Sequence, residues 1–325
     1  MNYFLAQLVN GITLGGMYAL IALGYTMVYG VLLMINFAHS EMFMAGAYIG
    51  LGTLLLLSNA GTQNAISKAL PFLSFLKNLR GFFTGSTVGL VLLFIIVLAV
   101  AALLTGCLGV LIERFAYRPL RHAPRLAPLI SALGVSIFLQ NAFLLWVGNI
   151  KPFPSLISVK DLSGGAGLGI TPVRIMIVVT SLVILVILDL FIARTKIGKA
   201  MRATSQDQDA SGLMGINVNS IIAMTFFIGP ALGAVAGVFS GVYYHVVTYN
   251  MGFMPGIKSF TAAVIGGIGN LRGAMLGGFL LGLIESFAQG YISASYKDVI
   301  TFMILIIILI FRPGGLLGSS VVEKV

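Results

Sequence analysis

Charged side chains are scarce. Of 325 residues only 9 % are Asp, Glu, Lys or Arg, 9 acids against 19 bases, too few to cover a soluble domain of this length. The single cysteine, Cys107, lies in an apolar run. No internal disulfide can form, and the thiol reads as a small packed hydrophobe. The three histidines, His39, His122 and His245, fall in separate segments with no second ligand at i+3 or i+4, which leaves a metal site without support and makes each an interfacial polar residue. No G-x-x-x-x-G-K-[ST] occurs, and Ile197-Gly198-Lys199-Ala200 lacks both the upstream glycine and the hydroxyl. The chain is therefore not expected to hydrolyse ATP. Ser240 and His245 have no third member to complete a hydrolytic set, so an enzyme is not expected. Basic residues stand singly between apolar runs, as anchors beside membrane helices do, and nucleic-acid binding gains nothing from them. What fills the chain is apolar: 58 % hydrophobic residues with 40 glycines, a mixture that suits transmembrane helices.

A helix needs about 20 apolar residues to cross the hydrocarbon. Uncharged stretches cover Met1 to Ser40, Met42 to Ser67, Gly81 to Ile112, Leu126 to Ile150 and Ala210 to Ile257, while Ile175 to Ala193 holds only Asp189. No base precedes the first stretch, so it reads as a retained helix rather than a signal peptide. Beyond Ile257 the runs shorten between Arg272, Glu285, Lys297 and Asp298. The expected fold is an all-α integral membrane protein of eight or nine transmembrane helices, with one short or broken helix. Arg114, Arg118, Arg121 and Arg125 form one basic loop and Arg194, Lys196, Lys199 and Arg202 another; both are assigned to the cytoplasm. Trp146, Tyr243, Tyr244, Tyr249, Tyr291 and Tyr296 then gather at the outer interface.

Gly229, Gly233, Gly237 and Gly241 recur every fourth residue and predict a helix-packing seam. Gly11, Gly15 and Ala19 repeat it more loosely. Each series is followed by a similar stretch, Ser40-Glu41-Met42-Phe43-Met44-Ala45-Gly46 and Ile257-Lys258-Ser259-Phe260-Thr261-Ala262-Ala263, in segments expected to cross in opposite directions. That is the pattern of an inverted internal repeat, with a path at the repeat interface; small-residue spacing that merely glues helices is the competing reading.

An ionisable group at membrane depth is a functional candidate. Glu285 is the one that qualifies from sequence, with helix pairing, for example to Lys297, as its alternative role. Asp189 and Glu113 lie near helix ends beside arginines and are expected to pair there. The polar stretch ARTKIGKAMRATSQDQDASGLMGINVNS, Ala193 to Ser220, is long for a connection and helix-compatible from Lys199 to Leu213. It could dock on a partner or lie amphipathically on the bilayer.

Four passages carry a resemblance: GITLGGMYALIALGYTMVYGVLLMINFAHSEMFMAGAY from Gly11 to Tyr48, IERFAYRPLR from Ile112 to Arg121, LISALGVSIFLQN from Leu129 to Asn141, and FTAAVIGGIGNLRGAMLGGFLLGLIES from Phe260 to Ser286. With them nearly the whole chain resembles the inner-membrane permease subunits of bacterial ABC importers for branched-chain amino acids, urea and sugar permeases being more distant. The resemblance implies a single permease domain over residues 1–325, located as a multi-pass protein in the bacterial inner membrane. It implies a second related permease subunit, two ABC ATPase subunits that bind the ATP, a periplasmic or extracellular substrate-binding protein, and surrounding lipid; no cofactor belongs to this chain. Residues 194–217 become the cytoplasmic coupling loop, with Gly198, Arg202, Ala203, Asp207, Asp209, Ala210, Gly215 and Ile216 at matching or adjoining positions. An apolar amino acid also needs a few dipoles for its zwitterionic end, for which Asn36, Ser136, Gln140, Asn141 and Glu285 are candidates. A urea or other small-solute permease and an ion-coupled secondary transporter are the alternative functions.

Two departures stand out. The family pattern continues NFAH with glycine where this chain has Ser40, so the hydroxyl is expected to cap the turn. The outer loop, residues 59–87, is long, and Ile66, Ala69, Leu70, Leu73 and Leu76 trace an amphipathic helix along it.

Overall fold

In hydrocarbon a chain must close its backbone hydrogen bonds within itself, and the long apolar runs do so as helices. The computed structural model describes residues 2–32, 34, 36–59, 61–63, 83, 86–121, 123–124, 126–155, 162, 169–312 and 314–318. Its helices are α1 (Asn2–Leu32), α2 (His39–Ser58), α3 (Thr87–Ile112), α4 (Leu126–Trp146), α5 (Pro172–Arg194), α6 (Lys196–Gln206), α7 (Gln208–Leu213), α8 (Val218–Tyr244), α9 (Phe253–Gly266), α10 (Leu271–Phe287) and α11 (Lys297–Phe311). α3 runs on through a π-turn, Glu113–Tyr117, and α10 through another, Ala288–Ile292. Seven of these helices are long and apolar enough to cross a membrane, so the chain is a multi-pass membrane protein. α9 and α11 are shorter, with 14 and 15 residues, and a total of eight or nine crossings depends on them. β1 (Ile150–Pro152) and β2 (Val246–Thr248) pair antiparallel with Lys151 opposite Val247, joining the ends of α4 and α8.

Glycine sets the spacing at the centre. Along α8, Gly229 faces Gly24 of α1 and Gly233 faces Met42 and Phe43 of α2. A Cβ on Gly237 would land on the Phe43 carbonyl oxygen, and one on Gly46 on Ala234; the two backbones touch. α1 meets α10 the same way, Gly11 against Leu283, Gly15 against Phe279, and Gly278 against Ala19. Leu20, Ile21, Met44, Leu54, Ile222 and Phe239 are fully buried around these contacts. α4, α5 and α11 ring the core and turn Phe138, Ile187 and Ile310 outward, the surface a bilayer would cover.

Two helices begin inside the bundle rather than at its edge. The His39 ring at the start of α2 lies against Gly24 and near Gly233, and Gly24 stands about 12 Å along α1 from that helix's last residue. Gly252 and Gly256, at the start of α9, pack on Ser40. The first turns of α2 and α9 therefore meet in the interior.

Several expectations change. Lys199 to Leu213 is not one helix: Asp207 is extended (φ −157°, ψ 115°) and its carboxylate caps α7 by accepting from the Ala210 N–H at 2.9 Å. The uncharged run Ala210 to Ile257 is likewise broken, by Asn217 capping the start of α8 and by His245, left-handed at φ 56°, closing its end. Ser40 caps nothing, because α2 already starts at His39 and the serine hydroxyl donates to the Phe37 carbonyl at 2.7 Å. His39 is fully buried rather than interfacial, its ring edge-on to Tyr25 at 4.6 Å. Most of the expected outer helix, and His122, lie outside the described residues.

Candidate functional site

Sequence singled out Glu285 as the one ionisable residue at depth; the folded chain buries Glu41, Glu113, Lys258 and Glu285. They fall into distinct groups. Glu113 pairs with Arg121 beside the π-turn that ends α3. Asp189 pairs with Arg272 at 2.8 Å, in the open.

The second group lies where α9, α10, α11 and α1 converge. Lys258 Nζ is 2.7 Å from Glu285 and 2.6 Å from Asp298, Lys297 reaches Glu285 at 3.4 Å, and the Tyr18 hydroxyl donates to the other Glu285 oxygen at 2.8 Å. Two cations meet two carboxylates, so the group is electrically closed, which is what tolerates it at membrane depth.

The third group is centred on Glu41, in the first turn of α2. Its Oε1 accepts from Ser136 Oγ at 3.0 Å, from Gln140 Nε2 at 2.8 Å and from the neighbouring Ser40 Oγ at 3.2 Å; a four-residue spacing puts Ser136 and Gln140 on one face of α4. Its Oε2 has no partner. Among the described residues no cation stands within ion-pair distance of Glu41.

A cavity of about 620 Å³ opens at the end of the bundle that carries Arg121 and Gln208, lined also by Tyr29, Met34, Tyr117 and Pro128. Tyr29 and Met34 also border a void of about 10 Å³ beside Tyr25, Asn36 and Phe260. Phe260 stands edge-on to Tyr25 at 5.8 Å and lies 6.3 Å from Phe37, so aromatic rings wall the void.

The candidates from sequence distribute unevenly over these features. Ser136 and Gln140 converge on Glu41. Asn36 sits at the void and accepts from the Tyr117 hydroxyl at 2.7 Å. Asn141 does not join them: it faces outward and its amide donates to the Ile137 carbonyl at 2.8 Å. Glu285 belongs to the closed group. Among the coupling-loop residues, Gly198 is buried with no room for a Cβ against Ile192, Arg202 donates to the Ala193 carbonyl at 3.4 Å, and Ala203 receives the N–H of Asp207 on its carbonyl. Asp207, Asp209 and Ala210 are exposed on α7, Gly215 turns at φ 83°, and the Ile216 N–H closes back on Ser211. α7 is tied to the end of α1 by Gln208, whose amide reaches the Val31 carbonyl at 3.4 Å.

Four functional candidates escaped the sequence reading. Glu41 and Lys258 sit in the two stretches that match between repeats, a signal that could have found them. Leu213 and Met214 are 90 % and 83 % exposed, two large apolar side chains left uncovered at the tip of the polar loop.

A membrane-spanning all-helical bundle with interrupted helices and buried, partnered charges is the architecture of a membrane transport protein. The comparisons give the family: the model described as "Branched-chain amino acid transport system / permease component" matches residues 7–309. The chain belongs to that family. It is 45 % identical over 99 % of its length to the high-affinity branched-chain amino acid transport system permease protein BraD of Pseudomonas aeruginosa, covering 98 % of that protein. With the permease protein LivH of the corresponding Escherichia coli K12 system it shares 42 % over 99 % of this chain and 98 % of the relative. A probable branched-chain amino acid permease of Methanocaldococcus jannaschii is 25 % identical, over 92 % and 88 % of the two chains. No solved structure matches.

Proposed function

We propose that this chain is the transmembrane permease subunit of an ATP-driven importer for branched-chain amino acids in a bacterial inner membrane. The observation that carries the reading is identity of 42–45 % over nearly the full length of relatives named as permeases of that system. A second related permease completes the pathway, two ATPase subunits bind the ATP and drive alternation, and an external binding protein delivers the substrate; this chain performs no chemistry itself. The basic end of the bundle is cytoplasmic, which places the 620 Å³ cavity on that side and Trp146, Tyr243 and Tyr244 outside. α9 and α11 count as crossings, giving nine.

The contacts of the bundle support an inverted repeat of α1–α2–α3 and α8–α9–α10. α1 packs on α10 as α8 packs on α3, glycine against backbone in both cases, with Gly106 and Gly109 of α3 against Phe227 and Phe226. α2 and α9 start face to face at the pseudo-axis. The path follows that axis, past Asn36 and the Glu41 group.

α6 and α7 form the coupling element, with Leu213 and Met214 as apolar anchors in the ATPase. Replacing both by serine is expected to abolish co-purification of the ATPase subunits while the permease still inserts; undiminished capture would refute the assignment. The function itself is tested by uptake of labelled leucine and urea into proteoliposomes of the complete complex, with the binding protein and ATP. ATP-dependent leucine uptake is expected; urea in its place selects the small-solute alternative, and ATP-independent uptake by this chain alone selects a secondary carrier.

A further inference from the structure

Of the three buried glutamates among the described residues, Glu113 has Arg121 and Glu285 has Lys258 and Lys297. Glu41, fully buried, has neutral partners only. Either protonation state leaves its Oε2 unsatisfied: an anion there lacks a counter-charge, and an acid lacks an acceptor for its proton. The first turn of a helix favours negative charge, and Ser40, Ser136 and Gln140 all donate to Oε1. Oε2 faces Gly252; a Cβ there would stand 3.2 Å from it, so the glycine keeps that side clear. Asn36, which borders the void with Tyr25 and Phe260, lies five residues before Glu41. What is missing at Oε2 is a small hydrogen-bonding cation.

We propose that Glu41 is the subsite that receives the α-ammonium group of the amino acid in transit, its free Oε2 becoming available when α4 parts from α2. This rests on the transport function proposed above. α4 is suited to such a movement. Among the described residues its side chains make three polar ties to the rest of the bundle, Ser131 to the Ala116 carbonyl and Ser136 and Gln140 to Glu41, with Tyr48 reaching the Gly148 and Asn149 carbonyls just past its end, while Leu133, Ile137 and Phe138 point outward. Parting at Glu41 therefore breaks two hydrogen bonds, and the arriving ammonium replaces them with a charge-assisted one.

The test uses proteoliposomes of the complete transport complex and reads labelled leucine moved per ATP hydrolysed. Glu41→Gln keeps an acceptor for Ser136 and Gln140 but loses the charge. The ratio is expected to fall about ten- to a hundredfold, the worth of a charge-assisted hydrogen bond, and Glu41→Asp should recover part of it. A group that merely ties α4 in place would lower transport and ATP hydrolysis together, and an unchanged ratio overturns the proposal. Should the variant complex not assemble, wild-type protein decides: dicyclohexylcarbodiimide should modify Glu41 during ATP turnover, seen by peptide mass spectrometry, and leucine with the binding protein should protect it. Modification that leucine does not slow, or none at all, overturns the subsite. Wild-type complex that imports urea and not leucine fails the functional reading itself, a result separate from any behaviour of the variant.

Discussion

The starts of α2 and α9 occupy matching places in the fold yet solve the problem of a buried charge in opposite ways. At α9, Lys258 is held by two carboxylates and the tyrosine of a third helix completes the set. At α2, Glu41 is held by two hydroxyls and an amide, and one oxygen is left bare. The first arrangement has nothing left to bind, so it fastens helices; the second has an unmet demand, so it can exchange partners. Burial alone does not separate structural from functional charge. The count of counter-charges does.

The comparison can be broken most sharply at Lys258. Lys258→Met leaves the buried Glu285 with only the partly exposed Lys297 at 3.4 Å and takes the cation from Asp298; a loss of about 3 kcal/mol is expected, read as a large fall in the melting temperature of the detergent-purified protein. Adding Glu285→Gln should restore part of that loss, because the stranded charge is what costs the energy. A Lys258→Met protein as stable as wild type would mean the closed group fastens nothing. At the other start, Ser136→Ala with Gln140→Leu removes the two donors that α4 supplies to Glu41 and leaves it Ser40 alone. About 1–3 kcal/mol should be lost, together with faster hydrogen exchange in α4 while α9 and α10 stay protected. If this pair proves costlier than Lys258→Met, the roles of the two groups are reversed. The exposed pair of Arg272 and Asp189 supplies the lower bound: Arg272→Gln should leave the melting temperature unmoved, since solvent already screens both groups.

Much of the frame was legible from residue order. Long runs with at most one charge marked six of the seven long helices, because the hydrocarbon thickness fixes a minimum length, and the four-residue glycine spacing of α8 marked a face on which a neighbour's backbone now rests. Breaks were harder to see. Asp207 interrupts a stretch that is helix-compatible from Lys199 to Leu213, and its extended backbone separates α6 from α7. Glu285 stood out because its surrounding run is clean, whereas Glu41 and Lys258 lie near breaks, where a charge looks as if it belongs to a loop.

Sequence by itself determined that the chain spans a membrane as helices, which segments do so, and which family it joins, since these follow from apolar length and from residues in their order. The tertiary structure decided that Glu41 and Lys258 are buried, which of them is neutralised, and that Ser136 and Gln140 serve one while Glu285 serves the other. Those outcomes depend on which helices stand side by side. Electrostatic pairing acts across a few ångströms of space between residues that are, in the chain, about a hundred positions apart for Glu41 and its donors.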